Sequence, residues 1–257
     1  MGMIAQERYQ FILDYVARAG RVRLQDLRKR LGVSIASLRR DVTELEARGL
    51  VVRVHGGVMH PAHLGEPTLA QREREAKPAK RAIARAAAAL VERGQTVFID
   101  GGSTCLLVGR QLAARRDLTL ITNSLAIAHA AQSGEATIIL IGGRVRSVSG
   151  ALVGAQALGA LDRLAADWAF IGASGLTREG PSTPELEEAA VKQAWIRRAR
   201  RRAVVADSGK WGKPAAVLFA PWSEVDQWVV DAGVPKDAVR NLRKQGIQVT
   251  IAGKQPR

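Results

Sequence analysis

The stretch VSIASLRRDVTELEARGLVVRVHGG, residues 33–57, shows how the first part of the chain folds. Ser34 is a suitable N-cap, so we predict a helix over Ser34–Arg48 that ends at Gly49. At 100° per residue, four apolar positions of this helix lie on one side, within about 60° of Leu38. They are Ile35, Leu38, Val42 and Leu45. The pattern therefore predicts an amphipathic helix that packs on a small core.

The opposite side of this helix combines small side chains with cations. It comprises Ala36, Arg40, Thr43 and Ala47, with Ser37 and Arg39 at its flanks. Small residues beside arginines allow a helix to lie deep in the major groove of DNA. We predict two earlier helices, Ala5–Arg18 and Leu24–Leu31, and a β-hairpin within residues 50–58. That order is typical of a winged helix-turn-helix, and the alternative is a three-helix packing module whose arginines are only solvated.

The same stretch resembles the N-terminal signature of the DeoR family of bacterial transcription regulators. It departs from the family pattern at Ser37, where threonine is usual, and at Leu38, where isoleucine is usual. The resemblance implies DNA contacts on this helix and on the wing, and it implies that Asp41 holds one of the arginines. With Thr43 added from the helix face, the positions expected at DNA are Ser34, Ser37, Arg39, Arg40, Thr43, Arg53 and His55.

Composition bounds the class of protein. The 257 residues include 39 Lys and Arg against 24 Asp and Glu, a formal net charge of +15, and 47% are apolar. This is globular composition, and the excess charge calls for an anionic partner. Cys105 is the only cysteine, which excludes an intrachain disulfide and fits a reducing compartment. No apolar run reaches the roughly 18 residues of a membrane span, so we expect a cytoplasmic protein with no membrane partner.

Proline and crowded charge mark a boundary in the chain. We predict a DNA-binding domain over residues 1–60, a linker over 61–76 with room for one short helix, and an α/β domain over 77–257. In the last segment, Val- and Ile-rich runs alternate with helical stretches, which predicts a mainly parallel sheet covered on both faces. The predicted strands are Thr96–Ile99, Leu118–Ile121, Thr137–Ile141, Trp168–Ile171, Ala203–Ala206, Trp228–Val230 and Val249–Ile251. The predicted helices are Lys80–Arg93, Cys105–Arg115, Ser124–Ser133, Gln156–Leu164, Glu185–Arg202 and Lys236–Gln245.

Polar loops follow several of these strands. Asp100 ends the first strand and leads through Gly101–Thr104 into a helix, an arrangement that offers backbone N–H groups and two hydroxyls to a phosphate. It is neither a Walker motif nor GxGxxG, so it indicates no nucleoside triphosphate or dinucleotide. Further loops lie at residues 122–124, 142–144, 172–175 and 207–210. Because ligands of open α/β sheets bind at the carboxyl ends of the strands, these loops together favour an anionic polyol.

This segment also matches the DeoR pattern, with Gly101 in place of a serine. The resemblance implies a sensor domain similar to ribose-5-phosphate isomerase that binds a phosphorylated sugar and so changes DNA affinity. It implies phosphate at Ser103 and Thr104, sugar hydroxyls at Asp100 and Asn123, and an anionic or hydroxyl group at Lys210. The full set of positions expected at the effector is Asp100, Gly102, Ser103, Thr104, Asn123, Gly143, Gly172, Glu188 and Lys210.

Three interpretations remain open at this point. The first is a sugar-phosphate-responsive repressor that binds operator DNA as a homodimer or homotetramer, without cofactor, metal or catalysis. The second is a sugar-phosphate isomerase with a basic appendage, for which Glu187 or Glu188 would be the general base. Ordinary capping of a helix, or a ligand contact, explains those glutamates more simply, and Lys192 suits packing or an ion pair. The third is nonspecific binding to RNA or an anionic membrane.

Overall fold

The computed structural model describes residues 4–54, 56–60 and 65–253. Contacts divide the chain into two compact units, Met1–Pro67 and Thr68–Arg257. None of the helices in the described ranges has the length and apolar character that a membrane crossing requires.

The first unit contains three helices and a three-stranded antiparallel sheet in the order β1-β3-β2. Its elements are α1 (Ala5–Ala19), β1 (Arg21–Arg23), α2 (Leu24–Leu31), α3 (Ile35–Ala47), β2 (Val52–Val54) and β3 (Gly57–Met59). Buried side chains from every helix meet in one core, which includes Ile12, Val16, Leu27, Leu38, Val42 and Leu45. The apolar face predicted for the third helix is therefore confirmed, apart from Ile35, which packs at the margin of that core.

A close approach of two backbones forms the wing in this unit. Val22 pairs with Val58, and Arg53 pairs with Val58 from the other side, so β3 is the central strand. A Cβ atom at Gly57 would lie 2.3 Å from the carbonyl oxygen of Val22. Only glycine therefore allows the hairpin to pair with the strand that precedes α2.

The second unit is built on a seven-stranded sheet in the order β15-β14-β12-β9-β4-β5-β6, and every neighbouring pair is parallel. Its strands are β4 (Thr96–Ile99), β5 (Thr119–Thr122), β6 (Thr137–Leu140), β9 (Ala166–Ile171), β12 (Ala199–Val205), β14 (Gln227–Asp231) and β15 (Gln248–Ala252). The helices are α4 (Leu69–Arg74), α5 (Lys77–Ala88), α6 (Ser103–Leu112), α7 (Leu125–Ala131), α8 (Ala155–Leu161), α9 (Leu186–Arg198) and α10 (Lys236–Lys244). This confirms the α/β class and the parallel sheet.

Two apolar clusters cover the two faces of the sheet. One face packs Phe98 and Trp228 against Trp195 of α9, with the Phe98 and Trp195 rings 4.4 Å apart. The other face packs Val97 and Trp168 against α5, α6 and α7. Alternate residues of one strand thus enter opposite cores, as expected for a sheet that is buried on both sides.

Two small antiparallel pieces stand apart from the main sheet, and the sequence patterns did not predict them. The hairpin of β7 (Arg144–Arg146) and β8 (Ala151–Val153) follows β6. A second piece joins β10 (Gly175–Leu176), β11 (Pro181–Thr183) and β13 (Val217–Leu218). Both supply residues to the carboxyl-end side of the sheet.

The helix predicted over Glu185–Arg202 is too long. It ends at Arg198, and β12 begins at once at Ala199, where it pairs with Ala166 of β9. The arginines at the end of the predicted helix are divided between helix and strand, because sheet pairing overrides their local preference. Arg202 forms a two-pronged ion pair with Asp226, with both N–O distances 2.8 Å.

Two helical glycines make a matched test of this packing. A Cβ at Gly109 of α6 would lie 2.8 Å from the Cγ2 of buried Ile127, whereas a Cβ at Gly159 of α8 would meet nothing within 4 Å. Gly159→Ala should raise the free energy of unfolding by about 0.5–1 kcal/mol. Gly109→Ala should lower it, because overpacking costs about 1–3 kcal/mol. Thermal unfolding of both variants checks this, and equal stabilisation by both would contradict the packing described for α6 and α7.

Candidate functional site

Helix α3 presents two arginines, Arg39 and Arg40, that no carboxylate of the described residues neutralises. Its N-cap Ser34 accepts a hydrogen bond from the Ser37 N–H at 3.1 Å, and the two hydroxyls lie 2.9 Å apart. Arg39 and Arg40 are exposed on the side away from the core. Within the described residues, neither guanidinium forms an ion pair or a side-chain hydrogen bond. Both are therefore available to a phosphate or a base edge.

The wing is fastened to α3 by residues that were expected at DNA. Arg53 of β2 donates to the hydroxyl of Thr43 and to the Arg39 carbonyl, the latter at 3.1 Å. Its Nε lies 3.4 Å from a carboxylate oxygen of Glu46, and its backbone N–H donates to the same carboxylate at 3.0 Å. Arg53 and Thr43 thus set the angle between wing and helix. His55, also expected on the wing, lies outside the described residues.

Asp41 does not hold either of the arginines on the reading side of α3, which corrects the expectation. It is buried and accepts two hydrogen bonds from Arg8 of α1, at 2.7 and 2.9 Å. The physical reason is position: Asp41 lies about 60° from Leu38 on the helix, toward the core. The bond to Asp41 raises the pKa of Arg8. This pair fixes α3 to α1 and leaves Arg39 and Arg40 unconstrained.

In the second unit, seven of the nine positions expected at an effector line one cavity. They are Asp100, Gly102, Ser103, Thr104, Gly172, Glu188 and Lys210. They come from the loops after β4, β9 and β12 and from the first turn of α9, which the parallel sheet brings to one edge. Whether they bind a ligand stays a prediction.

The loop after β4 is shaped by Gly102. This residue has φ of +130°, a conformation that side chains rarely adopt, and it stands at the N-cap of α6. Ser103 and Thr104 follow as the first two helical residues, each less than a tenth exposed. The loop therefore aims two hydroxyls and the first N–H groups of a helix at the cavity.

A buried ion pair forms the floor of the cavity. The ammonium group of Lys192 in α9 contacts the Asp100 carboxylate and donates to the Gly172 carbonyl at 3.1 Å. The Gly172 N–H in turn donates to Asp100 at 3.0 Å. Burial works against the charged ammonium, but Asp100 and Glu188 outweigh it and raise the pKa of Lys192. The ion-pair role expected for Lys192 is therefore what the geometry shows.

Glu188 is held as an ionised carboxylate. It accepts hydrogen bonds from Ser149 at 2.6 Å, Arg146 at 3.1 Å and Thr183 at 3.2 Å. Burial opposes ionisation, yet Lys192, Ser149 and Arg146 together lower the pKa of Glu188. A carboxylate held in this way is a weak base.

Asn123 and Gly143 do not line the cavity. The side-chain carbonyl of Asn123 accepts from the Gly101 N–H at 3.1 Å, and its amide donates to the Leu152 carbonyl at 3.2 Å. Asn123 thereby supports the loop that carries Gly102. Gly143 packs against the backbone of Val153.

Several cavity residues were missed in the sequence. Arg72 of α4, Lys80 of α5 and Ser149 of the β7–β8 hairpin all line it. Lys80 is 3% exposed and donates to the Arg72 carbonyl; burial lowers its pKa. One signal was present, because Lys80 lies at helical spacing from Ile83 and Ala87 and so on the buried face of α5.

Cys105 lines the cavity with a buried thiol. Burial raises the pKa of the Cys105 thiol, with the Asp100 charge adding to the effect. Among the described ranges, no three His, Cys, Asp or Glu side chains gather as metal ligands.

A helix-turn-helix unit with two available arginines, joined to an α/β unit with a polar cavity, defines a helix-turn-helix regulator with a separate sensor domain. Residues 8–62 match the DeoR-like helix-turn-helix domain, and residues 75–232 match the DeoR C-terminal sensor domain. The chain belongs to the DeoR family of transcription regulators, which confirms the resemblance inferred from its motifs.

Curated relatives extend over almost the whole chain. An uncharacterized HTH-type transcriptional regulator, YgbI of Escherichia coli K12, is 38% identical over 97% of this chain and 99% of its own length. The glycerol-3-phosphate regulon repressor of Escherichia coli K12 is 30% identical over 95% of this chain and 98% of its own length. Among solved structures, ribose 5-phosphate isomerase A of Methanocaldococcus jannaschii aligns with a TM-score of 0.41 and 20% identity, over 53% of this chain and 55% of that one.

The ion pair at the cavity floor predicts a pH-dependent defect. Burial already raises the pKa of Asp100 in the parent protein, and Lys192 opposes that effect, so in the folded Lys192→Met variant this pKa rises further. The folded variant then keeps a proton that the unfolded chain releases, and its stability falls as pH rises above about 4. Removal of one partner of a buried pair costs about 3–5 kcal/mol near neutral pH.

Unfolding measured from pH 4 to 8 checks this, with Asp100→Asn/Lys192→Met as the control. The double variant should lose most of the pH dependence. A single variant with the same pH dependence as the parent protein would show that Lys192 does not neutralise Asp100.

Proposed function

We propose that the chain is a sequence-specific DNA-binding repressor whose operator affinity is set by a phosphorylated sugar in the cavity of the second unit. The observation that carries the DNA part is the pair of exposed, uncompensated arginines on α3. Phosphate contacts position a protein on DNA, whereas bidentate arginine contacts to guanine specify sequence. Arg40, opposite Leu38, is the base-reading candidate.

The remaining residues expected at DNA take supporting roles in this proposal. Ser34 and Ser37 lie at the N-terminus of α3, where hydroxyls and N–H groups suit a backbone phosphate. Arg53 and Thr43 keep the wing at a fixed angle to α3, and His55 stays a wing contact by prediction. Such reading heads act in pairs on half-sites, so we propose a homodimer or homotetramer that works in the cytoplasm.

The effector part rests on the charges of the cavity. Lys192 pairs with Asp100 and Arg146 pairs with Glu188, and the other cations that line the cavity with the Ser103–Thr104 loop are Arg72, Lys80 and Lys210. An anionic group at the N-terminus of α6 satisfies both the helix dipole and these cations. Polar residues around it suit hydroxyl groups, so a phosphorylated sugar fits better than an apolar anion.

An isomerase is less well supported. Proton transfer beside a carbonyl needs a carboxylate able to take a proton, and Glu188 is held ionised by three donors. The relatives described above are named as regulators rather than enzymes.

Arg40→Ala should weaken operator binding about ten- to hundredfold, or about 1–3 kcal/mol, because a base contact is lost. Arg48→Ala is the matched control, since Arg48 lies at the end of α3 and pairs with Glu44. Fluorescence anisotropy with operator and scrambled DNA measures both variants. Full operator affinity in Arg40→Ala would remove Arg40 from the reading surface.

Lys210→Ala should leave operator binding unchanged and abolish the response to the sugar phosphate, because a cation of the cavity is lost. Lys213→Ala, an exposed lysine three residues away that does not line the cavity, is the control. The readout is operator binding at increasing sugar phosphate. An unaltered response in Lys210→Ala would place the effector elsewhere.

A further inference from the structure

A second groove adjoins the effector cavity and is lined mainly by cations. It lies between α4–α5 on one side and α6 on the other. Its charged lining consists of Arg74, Lys77, Arg81 and Arg110, with Glu73 as the single carboxylate. Ser103, the first residue of α6, lines both the groove and the effector cavity. The two sites therefore share the residue expected to hold phosphate.

The cations of the groove are poorly compensated by the protein. Glu73 lies 3.8 Å from Arg110. Within the described part of the chain, Arg74, Lys77 and Arg81 form no ion pair. All three are exposed, and Lys77 and Arg81 lie four residues apart on α5, where like charges repel on a helix surface.

The start of α5 adds to this imbalance. Lys77 is its first residue, Lys80 and Arg81 follow one turn later, and the first turn contains no acidic residue. A helix dipole favours negative charge at this end, so cations here are destabilising until an anion is present. The excess of cations is general in the second unit, where residues 68–257 contain 28 Lys and Arg against 17 Asp and Glu. The groove differs from other basic surfaces in that it opens beside Ser103.

We propose that this groove is a second anionic subsite of the effector site and that the effector therefore carries two anionic groups. One group is a phosphate at the Gly102–Thr104 loop. The other, a phosphate or a carboxylate, lies against Arg74, Lys77 and Arg81. Sugar bisphosphates and phosphorylated sugar acids have this chemistry, whereas sugar monophosphates fill only the first subsite. The inference rests on the proposed sugar-phosphate response and narrows its ligand class.

The test compares ligand pairs that differ by one anionic group. Binding to the full-length protein is measured by calorimetry. Glucose 6-phosphate is compared with 6-phosphogluconate and with glucose 1,6-bisphosphate. Fructose 6-phosphate and ribose 5-phosphate are each compared with the corresponding bisphosphate. For the preferred sugar, the second anionic group should tighten binding at least tenfold. Arg74→Gln/Arg81→Gln should abolish this gain and leave monophosphate binding within about twofold.

A charge-matched control uses Arg93→Gln/Arg200→Gln, which removes two cations whose side chains are 93% and 85% exposed and do not line the groove. This control should keep the tenfold gain. Equal affinity for one and two anionic groups, or a gain that survives Arg74→Gln/Arg81→Gln, would overturn the subsite.

Three further outcomes separate the subsite from the proposed function. If the groove variant loses operator affinity without ligand but keeps the preference for two anionic groups, the groove serves DNA and the subsite is wrong. If none of the sugar phosphates binds the parent protein, the sugar-phosphate response fails together with the subsite. Response to monophosphates alone would remove only the subsite.

Discussion

The ion pair of Lys192 with Asp100 is the interaction on which the architecture of the cavity depends. Both groups are almost fully buried, which is costly unless each charge is compensated. Lys192 meets that condition by contacting Asp100, which directly follows β4, and the carbonyl of Gly172 after β9. It thereby ties α9 to the carboxyl ends of two neighbouring central strands and holds Glu188 one turn earlier at the same edge.

A similar division of labour occurs in the first unit. The Arg8–Asp41 pair fixes α3 to α1, and Arg53 with Thr43 and Glu46 fixes the wing to α3. Arg8 and Arg53 are thus engaged by partners within the protein, whereas Arg39 and Arg40 remain available. In both units, ion pairs position the candidate site, and a few uncompensated cations of the described residues remain available to an anion. That is the arrangement expected when electrostatic complementarity provides specificity.

Local pattern predicted the elements but not all of their partners. The strand Thr96–Ile99 and the helix Leu24–Leu31 were located to the residue, because apolar periodicity and glycine signals are local. The β7–β8 hairpin, which supplies Ser149, has no such signal. Arg72 lies in a segment whose composition predicts a linker. Its helix is joined to the second unit by a long-range contact, in which the Leu69 N–H donates to the Val148 carbonyl at 2.9 Å. The end of α9 was missed because pairing with β9 is a long-range effect.

The most direct test of the account is a titration of fluorescent DNA from upstream of the chain's own gene cluster, against scrambled DNA, at near-physiological salt. The titration is repeated with each member of a panel of sugar phosphates. The account predicts tight binding to one DNA sequence, and it predicts that a single sugar phosphate weakens that binding. The account would be contradicted if the protein bound both DNAs equally, if no sugar phosphate changed that binding, and if a search across the neighbouring genes found no specific site.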